Sequence, residues 1–245
     1  MIHVPRAIDD RSLPSATDPH ETRANTVLRP VVFGANDGLV SNLALVMGIA
    51  GAGAEPGVIL LAGVAGLIAG AFSMGVGEYI SVQSQRELLD YQIAFQRKQL
   101  REVPEQERAI LARIYTERGF SVAEARRFVD AVFDEPDHAV RLLIFEEVGL
   151  DIRSIGSPVG AAIGSFGAFT VGASVPVLPY LVASGQAAFG ASLIASLAAL
   201  ALLGIGIALL TRRRLAFGAV RQVLLGGVAA AITFAVGQLV GVGLL

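Results

Sequence analysis

The sequence predicts an all-α membrane protein of five transmembrane helices, with a helical cytosolic domain inserted between spans two and three. Three observations support that expectation. The 245 residues are 53% hydrophobic and 16% charged, with a mean hydropathy of +0.62, outside the range of an ordinary soluble domain. The charges are segregated, with none between Ser154 and Thr211 and most lying before Arg29, from Arg86 to Arg153, or from Arg212 to Arg221. Five apolar stretches, at 31–53, 57–85, 155–182, 187–211 and 217–244, meet or approach the roughly 20 residues a membrane helix needs.

Each element follows from local chemistry. Residues 1–30 mix acids, bases and prolines without an apolar core, so they read as a disordered cytosolic tail and not as a signal peptide. Spans one and two occupy 31–85, joined by the tight turn Gly53-Ala54-Glu55-Pro56-Gly57. Residues 86–153 form the cytosolic bundle. Arg86 to Arg101 contains no Gly or Pro and continues span two; Pro104 suits a first helical position, and Gly119 caps the run from Glu105 to Arg118. Ser121-Val122-Ala123-Glu124 is a capping box, and Pro136 opens a last helix that closes at Gly149. Ile110, Leu111, Ile114, Phe120, Val129, Val132, Leu142 and Phe145 are the expected core. Residues 154–245 hold spans three to five, linked near Ala183–Gln186 and Arg212–Arg214, with Pro158, Pro176 and Pro179 loosening span three. The 28 glycines include pairs four apart, such as Gly66 and Gly70, that let membrane helices approach closely.

Orientation follows from Arg placement, because basic residues beside spans stay in the cytosol. Arg23 and Arg29, the arginines after span two, and Arg212 to Arg214 fall on one side if there are five spans, with the N-terminus cytosolic and the C-terminus outside. A net charge of −2 argues against a nucleic-acid surface, and zero cysteines exclude disulfides and thiolate metal ligation. No nucleophile–base pair, phosphate loop or redox motif is present, so neither an enzyme nor a bound cofactor is expected.

Asp37, Glu78 and Arg221 are the ionisable residues well inside the expected spans. A membrane-embedded acid costs a few kcal/mol, so it is usually there for a partner, an ion or a proton. Counted from the span ends, Asp37 and Glu78 each lie about 10 Å inside the cytosolic boundary, at matching depth. Gly66, Gly70, Met74 and Glu78 fall four apart on one stripe, two positions without side chains leading to two possible metal ligands, and could line a path. Two carboxylates and a thioether suit Fe²⁺ or Mn²⁺ better than Mg²⁺ or Ca²⁺. The plainer alternatives are that Met74 fills a gap and that the acids sit at the interface. Asn36, Ser41, Asn42 and Ser73 add oxygen donors, with helix–helix hydrogen bonding their plainer role. Arg221 is expected to snorkel, and His138 to be a surface residue.

Asn36-Asp37-Gly38-Leu39-Val40-Ser41-Asn42, together with the stretch from Ser73-Met74-Gly75-Val76-Gly77-Glu78-Tyr79 to Gln85, resembles the two signature stretches of the vacuolar iron transporter family. The resemblance, to a bacterial-type member, covers 31–245. It implies a homodimer with the ion path between the subunits' first spans and their neighbours, moving Fe²⁺, often Mn²⁺, out of the cytosol in exchange for protons. Asp37 and Met74 match the family's path ligands, and Glu78 lies in the matching motif at the entrance. The family's cytosolic helices collect metal through glutamates and a methionine pair. Here Glu107 and Glu147 remain, with Glu146 adjacent, whereas Gln96, Gln99 and Ile110 stand in carboxylate positions and Leu143 and Ile144 replace the methionines. Two other readings are a membrane-anchored dimeric scaffold without transport, and the same scaffold carrying a different divalent ion. A short chain without sorting signals points to a prokaryotic cell membrane, with a storage-organelle membrane as the alternative.

Overall fold

The computed structural model describes residues 19–148 and 156–244; the expected tail before Pro19 and the closing of the bundle at Gly149 lie outside them. The helices are α1 (Pro19–Gly51), α2 (Pro56–Glu102), α3 (Pro104–Glu117), α4 (Val122–Phe133), α5 (Pro136–Leu143), α6 (Pro158–Ser174), α7 (Pro179–Val182), α8 (Gly185–Leu210) and α9 (Leu215–Leu244), with a π turn at Ile144–Val148 after α5. Helix α1 therefore starts inside the stretch expected to be a tail, opened by Pro19 in the first turn, where a missing N–H is harmless. Among the described residues two compact units result, one made of Val27–Tyr79 and the chain from Pro158 onward, the other of Ile80–Ser157 with residues 19–26.

Among the described residues, four helices are long and apolar enough to cross a membrane: Arg29–Gly51, α2, α8 and Leu215–Gly241. The expected third span is interrupted. Helix α6 ends after 17 residues, and the chain tightens as the Val175 N–H donates to the Gly172 carbonyl at 3.3 Å, before Pro179 opens α7. Pro176 and Pro179 lack the N–H groups an unbroken helix would use.

Contacts between small residues fix the helix directions. Gly34 meets Ser165 and Gly38 meets Phe169, so α1 and α6 run parallel. Gly48 meets Thr233, and the Gln222 amide donates to Asn36 Oδ1 at 2.7 Å, so α1 and α9 are parallel as well. Helix α2 opposes both of its neighbours, with Gly66 against Asn42, Gly63 against Val46 and Val177, and Gly75 against Phe166. Helix α8 opposes α9, with Gly204 against Gly218 and Leu200 against Gly226. The unit thus contains five passes of alternating direction. Its core centres on Leu43, Val46, Met47 and Leu200. Close backbone approach holds α1 in place: a Cβ added at Gly38 would lie 2.3 Å from the Phe169 carbonyl oxygen.

The turn after α1 is a Schellman cap. Gly53, at φ 76°, donates to the Ala50 carbonyl at 3.0 Å while the Ala54 N–H reaches Ile49 at 3.4 Å. The same motif ends α8, but there Arg212 occupies the left-handed position at φ 52°.

In the second unit, Ser121 caps α4 and Glu124 closes the reciprocal capping box. Leu111, Val129 and Leu143 form a buried core, with Leu89, Val140 and Ile144 forming a second cluster. Two expected core residues are out of place, since Phe120 is 41% exposed and Phe145 is 54% exposed. Phe120 lies beyond the α3 cap and meets Tyr115 edge-on, 5.5 Å between ring centres. Phe145 sits in the π turn, whose wider winding shifts the register so that the Glu146 side chain, 3% exposed, turns inward instead.

Candidate functional site

Asn42 supplies a ruler for depth. Its Nδ2 donates to the Gly63 carbonyl at 3.2 Å and to the Ala173 carbonyl at 2.7 Å, and Gly66 faces its Oδ1. Because α1 and α2 are antiparallel, moving back from Asn42 to Asp37 corresponds to moving forward on α2 to Gly70–Ala71. Phe169 marks the same level, abutting Gly38 with its backbone and Gly70 with its ring. Met74 is therefore displaced along the axis from Asp37 by about 5 Å, roughly one turn, and Glu78 by about 11 Å. The expected matching depth of Asp37 and Glu78 is not observed. The interhelical register places Glu78 about two turns from Asp37, and counting from span ends could not see that offset.

The glycine stripe is filled rather than open. A Cβ at Gly66 would lie 2.4 Å from Leu45 Cδ2, and one at Gly70 would lie 2.2 Å from Phe169 Cζ. Close packing explains both glycines, and the stripe lines no path within one chain. Met74 is half-buried against the cluster of Ala71, Phe169 and Ala173; Asp37 and Glu78 are also half-buried. Asn36 and Asn42 act in helix–helix hydrogen bonds, and the Ser41 hydroxyl donates to the Asp37 carbonyl. Ser73 is exposed. Arg221 is exposed too, with its guanidinium 5.9 Å from the Phe217 ring centre. Among the described residues no three His, Cys, Asp or Glu side chains converge on one point. What this region offers a metal is a carboxylate and a thioether one turn apart on adjacent helices.

In the second unit, Gln96, Glu107 and Glu147 come together. Gln96 Nε2 donates to Glu147 Oε2 at 2.7 Å, while Gln96 Oε1 and Glu107 Oε2 are buried without a hydrogen-bond partner. Burial, and then the charge of Glu147, push the Glu107 carboxyl above its ordinary range. The cluster is an all-oxygen set with two carboxylates. Glu146 is committed elsewhere: it accepts from Arg118 Nη1 at 2.7 Å and from the Tyr115 hydroxyl at 3.1 Å. Burial, and then the neighbouring carboxylate, push the Tyr115 phenol up to about 12. Leu143 and Ile144 are fully buried core residues, and Gln99 and Ile110 are half-buried. His138 is exposed and pairs with Glu135 at 3.1 Å.

The sequence model described as the VIT family matches residues 28–238, a stretch that includes Asp37, Met74, Glu78 and the carboxylates of the second unit. The chain belongs to the VIT family. It is 30% identical over 225 residues, 91% of each chain, to vacuolar iron transporter 2 of Oryza sativa subsp. japonica. Vacuolar iron transporter 1 of Arabidopsis thaliana is 29% identical over 225 residues, covering 91% of this chain and 90% of its own. The vacuolar iron transporter of Acanthamoeba castellanii is 34% identical over 217 residues, covering 86% and 78%. Membership in the VIT family and the long apolar helices make this an integral membrane protein.

Two residues that support the site have little sequence signal. Phe169 looks like any apolar span residue, yet it packs against both Gly38 and Gly70. Gln222 is 7% exposed and bonded to Asn36. An amide within a mostly apolar helix was its only signal, and the adjacent Arg221 masked it.

Proposed function

We propose that this protein exports a divalent first-row metal ion, Fe²⁺ or Mn²⁺, from the cytosol in exchange for protons. The observation that carries the proposal is that Asp37 and Met74 lie within about one turn in axial level on antiparallel helices whose register Asn42 fixes. The names of the VIT-family relatives agree with iron as cargo. Five helical passes of alternating direction support five membrane crossings, with Pro176 and Val177 of the α6–α7 break buried and Leu178 exposed. The arginine distribution then supports a cytosolic N-terminus, an outer C-terminus, and the 80–157 unit in the cytosol.

Glu78, about two turns from Asp37 toward the cytosolic end of α2, suits a receiving position at the mouth. Asp37 and Met74 follow deeper in. One chain supplies too few ligands at that depth for a complete coordination shell, so a homodimer, with a second Asp37 and Met74 across the interface, fits the donor count. Metal and proton compete for the same carboxylate lone pairs, which couples the two fluxes. Glu107, Glu147 and Gln96 Oε1 would form a smaller cytosolic collecting site for a hard cation. The plant relatives, about as long as this chain, are named for the vacuole, so a storage-organelle membrane stands beside a prokaryotic cell membrane as the proposed location.

The test is purified protein in proteoliposomes carrying an internal pH dye. Expected is a proton flux opposite to Fe²⁺ or Mn²⁺ movement and dependent on the metal. Absence of any metal-dependent flux would favour the scaffold reading, and preference for Zn²⁺ or Co²⁺ in competition would reassign the cargo.

A further inference from the structure

The segment from Pro158 to Leu245 contains no Asp or Glu, and its only charges are Arg212, Arg213, Arg214 and Arg221. All four are exposed, and among the described residues none of them forms a salt bridge. Arg212 is also the one non-glycine residue at positive φ among those described. The position is the left-handed residue of a Schellman cap, where glycine is the default and a side chain adds strain. Retaining cations near a span end needs only Arg213 and Arg214, so orientation alone does not account for an arginine there.

On α9 the cluster continues into an apolar face. Arg214, Phe217 and Arg221 follow at helical spacing, with the Arg221 guanidinium over the Phe217 ring. Below them, Leu224, Leu225, Val228 and Ile232 are 60%, 62%, 55% and 58% exposed. One helix face thus passes from cations to hydrocarbon, matching a lipid's passage from phosphate to acyl chain.

We propose that the α8–α9 corner and this face of α9 form a binding site for an anionic phospholipid. The phosphate lies among Arg212, Arg214 and Arg221, and an acyl chain lies along Leu224, Leu225 and Val228. Guanidinium groups bind phosphate oxygens bidentately, which holds a headgroup more firmly than diffuse surface attraction does. The proposal rests on the membrane reading alone and stands whether or not metal is transported.

The chain has no Trp, so Phe217→Trp gives a single fluorophore that keeps the ring–cation contact. Full-length F217W protein in phosphatidylcholine bilayers is titrated with brominated phosphatidylglycerol or brominated phosphatidylcholine. Expected is stronger association of the anionic lipid, reduced about fivefold for each arginine removed in R214Q and R221Q. R113Q, which removes an exposed cation from the second unit, keeps the preference. Equal quenching by the two lipids, or an equal loss of preference in R113Q, overturns the site. Displacement of the bound lipid by millimolar inorganic phosphate overturns the lipid assignment in favour of a soluble anion. Unchanged binding in R214Q/R221Q, with the variant monodisperse, also overturns it.

Discussion

At the scale of single residues, Asn42 and Glu107 show two ways a buried polar group is used. Asn42 spends both amide hydrogens on carbonyls of α2 and α6, setting the register that brings Asp37 and Met74 within about a turn of each other. Asn42→Leu removes both bonds; the Gly63 carbonyl keeps its place in the α2 ladder, while the Ala173 carbonyl, near the end of α6, loses the Asn42 donor. Expected is a loss of about 2 kcal/mol in unfolding stability in detergent, with metal flux reduced through displaced ligands. Glu107 has its carboxyl raised above the ordinary value of 4.5 by burial and then by Glu147. Below pH 4.5 the group is protonated in both folded and unfolded chains and has no effect on stability; as pH rises through the raised value, the folded state loses stability. Glu107→Gln should therefore raise the melting temperature at pH 7, with the difference vanishing near pH 4. If Glu107 collects metal, Mn²⁺ should raise the melting temperature of the parent and leave that of Glu107→Gln unmoved. The identity of Asp37 and Met74 as unusual span residues was legible in the sequence. Their depth relative to Glu78 was not, because it depends on how α1 slides against α2.

At the scale of elements, the glycines and caps were the most legible features. The capping box at Ser121 and the turns at Gly53 and Gly119 require specific residue types at specific positions, and those residues are present. Arg212 breaks the same rule, and R212G should stabilise the protein by about 1 kcal/mol in neutral detergent by relieving the left-handed backbone. The close contact of α1 with α6 gives a second test. Gly38→Ala places a methyl 2.3 Å from the Phe169 carbonyl oxygen and should cost about 1 to 3 kcal/mol, read by thermal unfolding. Gly77→Ala, whose added carbon meets no atom outside its own stretch of helix within 4 Å, should instead stabilise the protein by up to about 1 kcal/mol. The break in the third pass was only half legible. Pro176 and Pro179 announce trouble, but whether such a span kinks or stops depends on its neighbours, and here the chain turns for four residues before α7. The π turn at Ile144–Val148 had no signal at all. Its effect on Phe145 and Glu146 explains why an apolar residue expected inside is outside and a carboxylate is buried.

For the whole molecule, the apolar runs were visible in the sequence as long helices, and the proposed orientation in the bilayer rests on the segregation of the arginines. The second unit differs from what the resemblance implied. Gln96 hydrogen-bonds Glu147, Glu146 is held by Arg118 and Tyr115, and Leu143 and Ile144 are core, so its helices are joined mainly by contacts that need no metal. Asp37 and Met74 are both present in the first unit, and the proposed transport rests on them. The most direct test is Fe²⁺ uptake into proteoliposomes containing the parent, Asp37→Ala or Met74→Ala. Expected is metal-dependent uptake by the parent, loss of nearly all of it in Asp37→Ala and a large reduction in Met74→Ala, with both variants folded and monodisperse. Uptake by both variants at the parent's rate would contradict the assignment of the path to this pair.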